Sequence, residues 1–267
     1  MVEFIQINNP LAVRASNKIA GPPNPGDFLL TEERPVPTAF LIDGDFFLRR
    51  HQHLRGGSPP KEVTKDLQWM CRKHLEKLGK TSADLYRIFF YDCPPLEKKV
   101  HNPITNKALD FSKTPTAIWR HEFHSELKKC RKVALRLGYL NERSGAWTLK
   151  GETFKKLLKG DITVQNLHAS DVRYDVQQKG VDMRIGIDIA SLSFKKQVNQ
   201  IVLIAGDSDF VPAAKLARRE GIDFILDPMW APIRNDLHEH IDGLQSIFQK
   251  DRSEQAVGID NNDKNQP

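Results

Sequence analysis

Cysteine is scarce: the chain of 267 residues has only Cys71, Cys93 and Cys130, far apart and with no CxxC pair among them. So odd and scattered a set excludes a disulfide framework and offers no zinc-ligand spacing. A reducing cytoplasm is the expected setting. Long apolar runs are missing too, since nothing approaches the roughly 20 residues that a membrane span needs. No membrane partner is expected. Met1 to Asn9 contains Glu3 and lacks the continuous apolar stretch of a signal peptide. Acidic residues are outnumbered, 34 against 40 Lys and Arg, for a net charge of +6. A basic balance favours an anionic partner, nucleic acid first. With 39% hydrophobic and 28% charged residues, one generous α/β domain or two small ones can bury a core under a heavily charged surface.

What the chain does have is a pair of short apolar runs that end in aspartates. Ala39-Phe40-Leu41-Ile42 runs into Asp43-Gly44-Asp45, and Ile201-Val202-Leu203-Ile204-Ala205 runs into Gly206-Asp207-Ser208-Asp209-Phe210. Such runs suit strands buried on both faces of a parallel sheet. In open α/β sheets the ligand site lies beyond the carboxyl ends of these strands. Carboxylates gathered there repel one another unless a cation or protons neutralise them. The pattern points to a divalent-metal site.

Proline and glycine clusters (Gly21-Pro22-Pro23-Asn24-Pro25-Gly26 and Pro35-Val36-Pro37) make residues 1–36 an irregular arm. Residues 251–267 are polar and Asn/Asp-rich, as in a disordered tail. Between them, over 37–250, strand and helix patterns alternate. Strands are expected at 39–43, 85–91, 172–176, 201–205 and 222–226. Helices are expected over 61–78, 119–137, 181–192 and 211–220, with a last one on Leu237, Ile241, Leu244 and Phe248. A loop or hairpin region runs through Trp147 and Leu149. This alternation is the signature of a parallel sheet with crossovers.

Each carboxylate has a plainer reading. Asp209 stands where an N-cap would satisfy free amides of the next helix, although capping does not explain both Asp207 and Asp209. Asp43 alone could be a turn-former. Asp182 opens the 181–192 helix, where an acidic residue often only compensates the dipole. Asp188, six residues on, faces another way and reads as a support or salt-bridge residue. Lys128, Lys129, Arg131 and Lys132, with Lys155 and Lys156, are candidates for a phosphate-tracking rim. Trp119, Trp147 and Phe154 could stack on bases, against core packing as the ordinary use of large aromatics. His121-Glu122-Phe123-His124 is not a zinc HExxH, because its second histidine comes one position early. Gly206 to Phe210 lacks the final glycine of a nucleophile elbow.

Phe40-Leu41-Ile42-Asp43-Gly44, Lys179-Gly180-Val181-Asp182 and Leu203 to Pro212, taken in order, resemble the NYN domain family of PIN-like nucleases, which includes LabA-type bacterial proteins. Asp236-Leu237 and Ile241-Asp242-Gly243-Leu244 resemble the family's closing helix, so the likeness spans roughly residues 38–248. It implies a Rossmann-like three-layer α/β/α sandwich with a mainly parallel central sheet and an Mg²⁺- or Mn²⁺-dependent ribonuclease site. On that site Asp43, Asp182, Asp207 and Asp209 match the acidic positions. Asp43 and Asp209 would hold metal directly, with Asp207 and Asp182 holding it or orienting water beside it. Asp45, Ser208 and Asp188 would support them. Asp45 and Phe46 stand where many relatives have an asparagine, and residues about 95–175 form a longer insertion than a minimal domain needs. RNA is the implied partner, and a homodimer is compatible with the chain. Two alternatives stay open: a non-catalytic RNA-binding or regulatory NYN module, and a haloacid-dehalogenase-like phosphatase built on Asp43-Gly44-Asp45. The latter usually has threonine or valine where Phe47 stands.

Overall fold

The computed structural model describes residues 37–249; the arm expected over 1–36 and the tail over 251–267 lie outside the described residues. The fold is organised around β1 (Thr38–Asp43), whose side chains alternate between two buried faces. Ala39 and Leu41 enter one core and Phe40 and Ile42 the other, so helices must cover both sides. β1 pairs in parallel with β2 (Leu85–Asp92) on one side and β8 (Gln200–Ile204) on the other. β5 (Val133–Leu137) extends the sheet beyond β2. β9 (Asp223–Asp227) and β10 (Gly243–Leu244) extend it beyond β8, giving six parallel strands in the order β10-β9-β8-β1-β2-β5.

Helices α1 (Gly44–Arg55), α2 (Pro60–Lys77) and α3 (Pro115–Lys129) cover one face through Phe47, Leu67, Met70, Phe123 and Leu127. Helices α5 (Val181–Phe194) and α6 (Val211–Arg219) cover the other through Ile185, Ile189, Ala214 and Ala217. The result is the Rossmann-like α/β/α sandwich expected from the sequence. Chain order moves outward from β1 through β2 and β5, then returns to the opposite side at β8. The sheet therefore has its topological switch point between β1 and β8, where a crevice opens at the carboxyl ends.

Three stretches differ from expectation. The helix expected over 119–137 stops at Lys129, because Lys132 takes a left-handed φ of 61° and the chain turns into β5. The apolar spacing there also fits a strand: Val133 and Leu135 face one core and Ala134 the other. The last helix shrinks to α7 (Asn235–His238), and Gly243–Leu244 instead adds a sheet edge. Asp242 holds that edge, accepting from the Phe224 amide at 2.9 Å and from Arg218 Nε at 2.8 Å. Helix α1 had no apolar stripe to announce it; Asp43 caps it.

Nor is 95–175 a single insertion, since α3 and β5 belong to the sandwich. What stands apart is two antiparallel ribbons. One pairs β3 (Lys99–His101) with β4 (Ala108–Asp110). The other pairs β6 (Tyr139–Leu149) with β7 (Val172–Lys179) and carries α4 (Gly151–Lys159) at its far end. β6 follows directly on β5 and β7 leads directly into α5, so this ribbon is rooted at the carboxyl rim of the sheet. Phe111 against Tyr174, with ring centroids 5.6 Å apart, braces the two ribbons together.

Candidate active site

Asp43 leaves β1 and at once caps α1: its Oδ1 accepts from the amides of Asp45 at 3.1 Å and Phe46 at 3.2 Å. The other oxygen has no donor among the described residues. Burial pushes this carboxyl from the ordinary 3.8 up to about 6, against the pull of the Phe46 amide; Asp182 and Asp45 push the same way. A cap explains one oxygen of Asp43. It does not explain why a buried carboxylate is placed among others.

The second strand end approaches the first closely. At Gly206 an added Cβ would meet the Phe46 ring at 2.5 Å, so only glycine lets β8 exit against α1. Asp207 Oδ1 then accepts from the Asp209 amide at 3.1 Å and caps the short turn Ser208–Phe210. The sequence expectation had given the cap to Asp209. Since Asp207 performs it, the Asp209 carboxylate makes no hydrogen bond among the described residues. Asp182 arrives from a third segment. Gly180, at φ 80°, turns β7 straight into α5 and puts Asp182 in the first turn. Burial raises its carboxyl, followed by repulsion from Asp207 and Asp209. Three segments thus bring Asp43, Asp182, Asp207 and Asp209 into electrostatic contact at the switch point.

A cleft of about 420 Å³ opens there, lined by Asp43, Asp207 and Ser208 together with Arg49 and Arg234. Asp182 and Asp209 flank the cleft without lining it. Among the described residues no group of three His, Cys, Asp or Glu side chains is assembled into a metal cage. No helix among them is long and apolar enough to cross a membrane.

The remaining candidates are dispersed. Asp45 pairs with Arg49 at 3.3 Å and reaches Arg120 at 3.9 Å. Asp188 accepts from the Tyr91 hydroxyl at 2.8 Å and faces Arg136 at 3.4 Å, so it fastens α5 to the sheet away from the cleft. Lys128, Lys129, Arg131 and Lys132 lie where α3 ends and β5 begins, which is the opposite end of the strands from the carboxylates. Lys129 pairs with Glu126 at 2.6 Å, and the Lys132 ammonium is bound to the Leu85 carbonyl. Lys155 and Lys156 ride on α4 at the ribbon's end, Lys155 paired with Glu152 at 2.9 Å.

One rim residue escaped the sequence reading. Asp92 ends β2 one residue past the Tyr91 that pairs with Asp43. It is buried and accepts from Arg120 at 2.6 Å and the Cys93 amide at 2.8 Å, with His124 Nε2 at 2.7 Å. Its signal was the same as for the others, an apolar run (Leu85 to Tyr91) ending in aspartate. Arg120 and His124 compensate it, so its role is to anchor α3 to the sheet.

With this geometry in view, comparison with protein families is decisive: the NYN domain model matches residues 109–239. Over those residues the chain matches the NYN domain family. NYN domains belong to the PIN-like nuclease superfamily, so a nucleic acid is the implied substrate. The family match takes in Asp182, Asp207 and Asp209, while Asp43 lies outside it and joins them through β1. A crystal structure of a protein of unknown function from Vibrio parahaemolyticus is similar at a TM-score of 0.44 and 12% identity, over 82% of this chain and 96% of that one. No curated protein matches the chain.

Proposed function

We propose that this protein is a ribonuclease that hydrolyses RNA phosphodiester bonds with Mg²⁺ or Mn²⁺ at the Asp43, Asp182, Asp207 and Asp209 cluster. The observation that carries the reading is the convergence of these carboxylates at the switch point, with Asp43 and Asp182 both raised by burial and by their acidic neighbours. Such a cluster is destabilised until positive charge enters it. The donor set is all oxygen, which suits hard cations, and Mg²⁺ keeps several waters so that one or two carboxylates suffice. A preassembled cage is not required.

Asp43, through its free oxygen, and Asp209 would hold the ion. Asp207, whose Oδ1 is engaged by the turn, and Asp182 would complete the shell or orient water. The bound ion supplies Lewis acidity, polarising the phosphate and lowering the pKa of an attacking water. Arg49 and Arg234 face the same cleft and are placed to meet the phosphate, Asp45 steadying Arg49. Ser208 adds a hydroxyl to the wall, and Asp188 steadies α5. The lysines at the far end of the sheet and on α4 attract the polyanion at long range. Free Cys71, Cys93 and Cys130 suit a cytoplasmic enzyme.

The test is a panel of RNA, DNA and p-nitrophenyl phosphate, each with Mn²⁺ or with EDTA. RNA is expected to be cut with Mn²⁺ only, and Asp209→Asn to slow cutting by at least roughly a hundredfold, the scale of losing one charge-stabilising group. RNA binding without cutting would favour the non-catalytic module. Turnover of p-nitrophenyl phosphate alone would favour the phosphatase.

A further inference from the structure

Across Arg49 from the carboxylate cleft lies a second cavity, of about 310 Å³, enclosed by α1, the start of α2 and α3. Leu48, Val63 and Trp119 form its apolar wall, and Gln52 and the Gly56-Gly57 backbone its polar edge. The indole of Trp119 is fixed in place. Its ring stacks on Phe123 with centroids 5.2 Å apart and planes 21° apart, and its Nε1 donates to the Ser58 carbonyl at 3.0 Å. The Gln52 carboxamide is exposed and has no partner among the described residues, so it is free both to donate and to accept. Arg49 lines both cavities, and Asp45 lines the second while standing two residues from Asp43.

A mostly apolar pocket with one rigid aromatic plane and a few polar groups at its edge fits a small, flat, polar-edged ligand. We propose that this cavity receives a nucleobase of a single-stranded RNA, next to the nucleotide whose phosphate occupies the carboxylate cleft. The inference rests on the ribonuclease reading and adds to it how the strand is held. Trp119 supplies the surface for the base, Gln52 the contact to its edge, and Arg49 the link to the backbone running into the cleft. Paired RNA keeps its bases stacked inside the helix and is excluded from the cavity. Single strands are therefore preferred.

Gly57 provides the test. A Cβ there would meet nothing within 4 Å and its φ is ordinary, so Gly57→Phe fills the cavity's edge without strain. Binding is measured with the full chain carrying Asp209→Asn, which slows cutting, over times too short for cleavage, and a single-stranded ribo-oligonucleotide containing 2-aminopurine. Binding is expected to quench the 2-aminopurine. Gly57→Phe is expected to abolish the quench and weaken affinity about tenfold or more, the fold-change of one lost base–aromatic stack. Trp119→Leu should do the same, but it also removes a packed ring; Gly57→Phe keeps the test independent of folding. If the oligonucleotide binds and Gly57→Phe changes neither signal nor affinity, the base pocket is wrong while the ribonuclease reading stands. If Asp209→Asn and wild-type protein both fail to bind RNA, both fall together.

Discussion

Asp43→Asn is expected to abolish metal-dependent cleavage, by at least roughly a hundredfold, and at the same time to make the protein more stable at pH 8. The sign follows from the carboxyl, raised from 3.8 to about 6 in the folded protein. Between those values the folded state binds more protons than the unfolded one, so stability falls as pH rises through that window. The wild type is therefore penalised above about pH 6, by up to roughly 3 kcal/mol for about two pH units. Asparagine removes the charge at nearly constant shape and still accepts from the Asp45 and Phe46 amides, since it caps helices as well as aspartate. A gain of about 1–2 kcal/mol at pH 8 is expected after allowing for incomplete burial, vanishing near pH 4. Asp43→Ala also loses the cap, which costs about 1 kcal/mol, and offsets much of that gain. Urea unfolding in EDTA at both pH values checks it. An asparagine variant no more stable than wild type at pH 8 would mean that the carboxylate is not under strain.

Asp227→Ala is expected to be strongly destabilising, by about 1–3 kcal/mol for each buried polar group it leaves without its hydrogen-bond partner. Asp227 and His74 are both fully buried, with Oδ2 and Nε2 2.8 Å apart, joining β9 to α2 across a core face. Oδ1 of Asp227 also accepts from the Met229 amide at 2.7 Å. Alanine leaves both His74 and that amide without these partners in a dry interior. The effect also reaches the cleft. Met229 and Trp230 hold left-handed φ values of 46° and 63°, costly for residues with side chains. Arg50 donates to the Met229 carbonyl at 2.7 and 2.9 Å, and Trp230 Nε1 to the Phe248 carbonyl at 2.6 Å. With Asp227 gone, the loop bringing Ala231 and Arg234 to the cleft is expected to relax. A thermal midpoint lowered on the order of 10 °C, and only partly recovered by leucine at both Asp227 and His74, which still leaves the Met229 amide unpaired, is the expected result. Unchanged stability in Asp227→Ala would show that the pair does not clamp β9.

The strands that carry the cleft were legible in the sequence because they are buried on both faces. An uninterrupted apolar run such as Phe40 to Ile42 or Ile201 to Ala205 has few other uses in an α/β chain. Their acidic ends were legible too, since Asp43 follows its run directly and Asp207 follows its own after one glycine. Asp92 obeyed the same rule, yet only its salt bridge to Arg120 and its contact with His124 distinguish an anchor from a ligand. Where local pattern failed, longer-range pairing prevailed. Val133 to Leu137 satisfies both a helical and an alternating spacing, and the open edge of β2 selects the strand. Ile241 to Leu244 likewise meets the edge of β9. The division of labour between Asp207 and Asp209 was beyond the sequence, because either can cap a turn and only backbone direction decides. Basic pairs carried no information on where in the fold they would lie. Lys128 to Lys132 is dense in charge, but α3 runs antiparallel to the strands and carries it to the far end of the sheet.

The most direct measurement is an anomalous-scattering map from a crystal soaked in Mn²⁺, compared with one of Asp43→Asn treated alike. One or more strong peaks between Asp43 and Asp209 at the mouth of the cleft, absent from the variant, are expected. A wild-type map with no peak there, or a peak that persists in Asp43→Asn, would show that these carboxylates do not form the cation site.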